Sequence, residues 1–142
     1  MSTFVHHELS TSDPSAAKKF YKGLFGWKFT DFKQADGSVY QMFSTDDKEG
    51  GGIQKNPMPG APSAWLQYVG VKSVKKAMAK AVKLGGKSLL DFMPIPGHGA
   101  MGIFVDPTGA QCAVWEAGAP AKKTSKKTAK AAKKKKAAKK KK

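Results

Sequence analysis

The chain has no arginine and only one cysteine, Cys112, among its 142 residues. A single thiol cannot form an internal disulfide, which points to a reducing compartment. Without arginine there is no guanidinium fork of the kind that most often reads guanine, so base-specific DNA recognition is not expected. No apolar run approaches the roughly 18 residues needed to span a bilayer. Met1 is followed by Ser, Thr and Phe rather than by a basic segment and an apolar run, so no secretory leader is expected. Nor is there a glycine-rich phosphate loop or a paired-cysteine zinc pattern. Together these absences predict a cytoplasmic protein with no membrane partner.

Positive charge is abundant and unevenly placed. The formal net charge is +16, from 26 lysines against 10 acids. Thirteen lysines lie near the end with no acid among them: Lys122, Lys123, Lys126, Lys127, Lys130, Lys133, Lys134, Lys135, Lys136, Lys139, Lys140, Lys141 and Lys142. The other 13 lysines face 10 acids, leaving +3 on the rest of the chain, an ordinary balance for a soluble domain. A body of roughly 120 residues can bury about two-thirds of its unfolded surface, enough for one domain and no second. The expected division is therefore a folded unit over 1–118 and a tail over 119–142. The tail is built of Lys, Ala and a few Ser and Thr. It cannot bury a core and its charges repel, so disorder is expected. In composition it resembles the C-terminal arms of linker histones. Its lysines are candidates for non-specific nucleic-acid contact driven by counterion release; the alternative is a tail that is merely solvated.

Within the body, one pattern runs twice. Residues 11–27 read TSDPSAAKKFYKGLFGW and residues 104–116 read FVDPTGAQCAVWE. A shift of about sixty positions pairs Ala17 with Ala77, Leu24 with Leu84 and Gly26 with Gly86, and the order strand, helix, glycine turn, strands recurs. In the first copy Phe4 to Ser10 reads as a strand. Asp13 and Pro14 start a helix with Ala17, Phe20, Tyr21 and Leu24 on one face, and Gly23 and Gly26 end it. Trp27 to Phe32 and Val39 to Ser44 read as strands around Asp36-Gly37. Gly51 to Gln54 is a fourth strand, weakened by three consecutive glycines. After a Pro-rich connector, Trp65 to Val71 is a strand and Ser73 caps a helix that Gly85-Gly86 ends. Lys87 to Phe92, Met101 to Val105 and Ala110 to Glu116 complete the second copy. The fold class is α+β, with two βαβββ modules over about 3–55 and 64–117.

DPSAAKKFYKGLFGW, the IPG of residues 95–97 and VDPTGAQCAVWE resemble the first helix and closing hairpin of the vicinal oxygen chelate superfamily, which holds glyoxalases, bleomycin-resistance proteins and extradiol dioxygenases. The resemblance implies curled sheets enclosing a cleft, makes a homodimer reasonable, and implies metal ligands on the first and fourth strands of each module. On this sequence those places are His6, Ile53, Leu66 and Ala113. Only His6 can ligate, so neither a metal nor another cofactor is expected. Glu116, three positions from Ala113, falls on the opposite face.

Strand alternation sets Glu8 and Ser10 beside His6 and sends Val5, His7 and Leu9 toward the helices. The sixty-residue offset pairs Glu8 with Tyr68 and His6 with Leu66. His6 and Glu8 are candidates for acid/base work; the alternative is that Glu8 only holds loop amides or the Tyr68 hydroxyl. Gln111, Ala113 and Trp115 share the cleft face, where Trp115 either stacks on a flat ligand or packs in the core. His98 is placed on a loop at the cleft mouth, and Cys112 is expected to be buried and inert. His7 and Gln67 form a polar pair on the helix side. The resulting expectation is a metal-independent cleft for a small molecule, formed by His6, Glu8, Ser10, Tyr68, Gln111 and Trp115. Two alternatives are a metal-dependent lyase or dioxygenase of the same superfamily and a non-specific DNA-associated protein. Whether a reaction is catalysed stays open.

Overall fold

A computed structural model of the chain describes residues 2–118; the tail from 119, with its thirteen candidate lysines, lies outside the described residues. The element order is β1 (Phe4–Thr11), α1 (Pro14–Phe25), β2 (Lys28–Lys33), β3 (Val39–Ser44), β4 (Gly50–Lys55), β5 (Ala64–Gly70), α2 (Val74–Lys83), β6 (Lys87–Ile95), β7 (Gly99–Val105) and β8 (Gln111–Ala117). This is βαβββ twice, as the repeat predicts. The strands form one curled eight-stranded sheet in the order β2-β3-β4-β1-β5-β8-β7-β6. In each module the first and fourth strands run parallel, β1 beside β4 and β5 beside β8. The modules join where β1 pairs antiparallel with β5, His6 opposite Tyr68, His7 opposite Gln67 and Glu8 opposite Leu66. Among the described residues no helix is long and apolar enough to cross a membrane.

Both helices begin where the sequence provides caps. The Asp13 carboxylate accepts from the Ala16 N–H at 2.9 Å, with Pro14 at the first helical position. Ser73 accepts from the Lys76 N–H at 3.4 Å. At the end of α1, Gly26 adopts φ 70° and returns its N–H to the Lys22 carbonyl. Gly23, expected to help end the helix, lies inside it. A Cβ built there would meet nothing within 4 Å beyond the helix's own backbone and chain neighbours, so the position has room for a methyl group.

The glycine run does not weaken β4; it allows its neighbours to come close. A Cβ on Gly51 would lie 1.8 Å from the His7 carbonyl oxygen of β1, and one on Gly52 1.9 Å from the Tyr40 hydroxyl of β3. β6 runs three residues past its expected end, with irregular pairing around Leu90.

The helix-facing core has two parts. Leu9, Phe43 and Ile53 of the sheet pack with Trp27, Phe29 and with Ala17 and Tyr21 of α1, and Ala100 and Val114 of the sheet pack with Val74 and Met78 of α2. On the opposite, concave face, Tyr68, Met101 and Ala113 are buried with Leu66, Leu90, Ile95, Ile103 and Trp115 around them.

The two kinds of glycine predict opposite outcomes. Gly23→Ala should raise stability by about 0.5–1 kcal/mol, the usual gain for alanine inside a helix. Gly51→Ala should cost about 3 kcal/mol or more, because backbone stands where the methyl would go. Urea unfolding midpoints read both effects.

Candidate functional site

Glu8 sits at the middle of β1, where the two modules meet, and its side chain rises on the concave face. Three donors converge on the carboxylate from three other strands. The Tyr40 hydroxyl of β3 donates to Oε2 at 3.0 Å, the Gln54 amide of β4 to Oε1 at 2.9 Å, and the Tyr68 hydroxyl of β5 to Oε1 at 3.1 Å. The Gln54 amide also reaches the Ser10 hydroxyl at 3.4 Å, using both its hydrogens. Tyr40 holds this position because Gly52 has no side chain beneath it.

His6 completes the cluster. Its Nε2 lies 2.8 Å from the Tyr40 oxygen, and its ring stands edge-on to Tyr68 at 5.4 Å. Tyr40 has one proton, and it goes to Glu8. His6 must then donate from Nε2, which fixes the neutral tautomer and leaves Nδ1 as an acceptor. Burial, helped by the nearby His7 charge, lowers the His6 pKa below 6.5. Burial raises the Glu8 pKa above 4.5, partly offset by hydrogen bonds from Tyr40 and Tyr68. Both phenols are pushed well above their usual value by burial and by the Glu8 charge, so they remain protonated donors. The two groups most able to exchange a proton are thus drawn toward one another in pKa and linked through Tyr40.

One expected position is corrected. Ile53 is not on the cleft face: it pairs with Leu9, is fully buried, and packs under α1. The concave-face residues of β4 are Gly52 and Gln54. An apolar residue flanked by glycine and glutamine goes to the core for hydrophobic reasons, and the parity of the whole strand follows. Gln54 was missed for that reason; counting β4 outward from Ile53 as a core residue finds it.

The other candidates distribute as follows. Glu8, Tyr68, His6 and Ser10 come together. Trp115 shares their face but packs with Tyr68, Met101 and Ala113, outside the hydrogen-bonded cluster. Gln111 is exposed at the start of β8, and His98 is exposed in the β6–β7 turn. Glu116 lies on the helix side, where its carboxylate accepts from the Val74 N–H at 2.9 Å and caps α2. Cys112 contacts the Gln67 and Ala113 carbonyls at 3.6 Å, and burial raises its thiol pKa, so the unreactive thiol form is favoured. His7 and Gln67, opposite each other on β1 and β5, hydrogen-bond through their side chains.

A divalent metal does not fit this cluster. Among the described residues no three His, Cys, Asp or Glu side chains gather in a way that could hold one. The Glu8 oxygens are surrounded by hydrogen-bond donors, which a cation would have to displace. Leu66 and Ala113 offer no ligand atom.

The chain belongs to the glyoxalase/bleomycin resistance protein/dioxygenase superfamily, whose family model matches residues 3–114. It is 37% identical over 115 residues to CFP32 of Mycobacterium tuberculosis, provisionally named a glyoxylase, covering 78% of this chain and 44% of that protein. It is 29% identical over 125 residues to the anthracycline biosynthesis protein DauV of a Streptomyces species, covering 78% and 46%. The chain spans about half the length of the curated relatives it matches. Among solved structures, a hypothetical protein of Bacillus halodurans aligns with a TM-score of 0.67 at 12% identity, covering 85% of this chain and 98% of that one. Methylmalonyl-CoA epimerase of M. tuberculosis aligns at 0.63 and 9% identity, covering 82% and 88%. At such identities these likenesses show the fold alone.

The Glu8 environment makes a pH prediction. Its folded pKa lies above the unfolded one, so the native state holds more protons and stability falls as pH rises from about 4.5 through the raised value. Glu8→Gln should remove that falling limb from the unfolding free energy between pH 4 and 8. His6 acts in the opposite sense, losing stability as pH falls below 6.5, and should keep doing so in the Glu8→Gln variant.

Proposed function

We propose that this chain binds a small planar molecule on its concave face without a divalent metal, with the Glu8 cluster as the polar end and Leu66, Ile103 and Trp115 as the apolar floor. The observation that carries this reading is the Glu8 carboxylate held by three donors beside that floor. A carboxylate offers about four acceptor positions, and three are filled, which leaves one for a ligand N–H or O–H. His6 and Glu8, joined through Tyr40, are the pair through which a proton would pass if the bound molecule is transformed.

The test is a fragment library of small aromatic compounds screened by ligand-observed NMR. Hits should lose about tenfold or more in affinity with Glu8→Gln and be unaffected by chelator, and the purified protein should contain no stoichiometric Zn, Ni, Mn or Fe. Stoichiometric metal lost on His6→Ala would overturn the reading.

The lysine distribution supports a second element of the proposal, a tail that holds the protein near nucleic acid. The full chain should bind DNA without sequence preference. Each phosphate neutralised contributes a slope of about 0.9 in log affinity against log salt, so six contacts would weaken binding roughly a thousandfold between 50 and 200 mM. Truncation after Pro120 should abolish that binding. A truncated body that binds as well as the full chain, or binding that ignores salt, would refute the tether.

A further inference from the structure

A second recess lies on the other side of the sheet from Glu8. It is an open recess of about 550 Å³ between the β3–β4 turn and the start of β5, large enough in volume for a small molecule. Its wall is aromatic. Trp27 and Phe43 stack at 4.4 Å, and Trp65 stands nearly perpendicular to both, at 6.4 and 6.0 Å. Phe43 is buried, whereas Trp65 is 37% exposed, so the indole is the wall residue a ligand can cover. The hydrogen-bonded pair His7 and Gln67 lines the cavity as well. Two carboxylates, Asp47 and Glu49, complete the lining.

Among the described residues neither carboxylate forms an ion pair. The ion pair found there joins Lys18 of α1 to Asp31 of β2, and Lys48, between the two acids in sequence, does not line the recess. The turn that carries them is internally fixed. Thr45 bonds through its hydroxyl to the Asp47 carboxylate and, at 2.8 Å, to the Glu49 carbonyl, while its N–H reaches the same carbonyl at 2.8 Å. The Asp47 carboxylate and the Glu49 backbone are therefore held beside the aromatic wall.

We propose that this recess is a ligand site for a small organic cation with an apolar body, of the aryl-alkyl ammonium class. The apolar part gains by leaving water against the rings, and the ammonium supplies the charge that Asp47 and Glu49 lack. An anion of the same size is repelled by both acids. Strand alternation separates this site from the concave face: His7 and Gln67 point to one side, His6 and Glu8 to the other. It therefore stands or falls independently of the reading given above.

The test titrates the full chain with benzyltrimethylammonium at fixed ionic strength, following tryptophan fluorescence, with benzoate as the anionic probe of similar ring. The cation should give a saturable one-site change that benzoate does not. The Asp47→Asn, Glu49→Gln double variant should weaken it tenfold or more, and Trp65→Phe should remove most of the signal. Glu8→Gln should leave the affinity unchanged. Equal binding of benzoate, undiminished affinity in the double variant, or loss of binding with Glu8→Gln would each overturn the proposal.

Discussion

The ladder between β1 and β5 is the contact on which the rest of the molecule depends, because these are the sole neighbours in the sheet drawn from different modules. Its register has a simple centre. His7 and Gln67 are equivalent under the sixty-residue repeat and also directly opposed across the ladder, so the pseudo-twofold relation between the modules passes between them. This accounts for a polar pair that sequence alone leaves unexplained: equivalent positions meet, and their side chains satisfy one another. The same register sets Tyr68 opposite His6 and diagonal to Glu8, within reach of a long side chain. A slip of one residue would turn Glu8 into the helix-side core and Leu9 onto the concave face.

Glu8 then ties four strands together at one carboxylate. Removing that group from water is costly, and hydrogen bonds to a charged acceptor are worth about 1.5–3 kcal/mol each. With three donors the ionised form is supported, yet the raised pKa shows that burial still outweighs them. The arrangement also depends on a residue that has no side chain, the β4 ladder partner of Glu8. Gly52 leaves room for the Tyr40 ring, and Tyr40 bridges imidazole and carboxylate. A glycine in β4 thus makes room for a hydrogen-bonded link whose ends, His6 and Glu8, are both on β1.

Much of this was legible beforehand, for identifiable reasons. The repeat, both helix caps and the convergence of Glu8 with Tyr68 rest on local chemistry and on parity, which short-range sequence patterns carry directly. The concave-face role of Tyr40 was not legible, because it requires knowing that β3 lies two strands from β1 and that β4 between them is nearly bare. Misplacing Ile53 had a different origin. The family's ligand positions were transferred by strand number, whereas the hydrophobic side chain had already determined which way β4 faces. The glycine run was read as weakness when its meaning was proximity, a distinction that depends on what lies across the gap.

The shift from Ile53 to Gln54 changes what a cation would meet in this cluster. With Ile53 in the cleft, the argument was that ligands are lacking. With Gln54 there, oxygen and nitrogen atoms are plentiful, but their polarity is that of donors: an amide N–H and two phenol O–H groups all aim protons at Glu8. A metal site needs lone pairs converging on a point, and this cluster converges hydrogens on an anion. The family frame is compatible with either, since the same strand positions accept ligating or donating side chains without altering the backbone. In this chain the donors surround a carboxylate that keeps one acceptor position, which suits a ligand with a polarised N–H or O–H better than one whose lone pairs would need a cation.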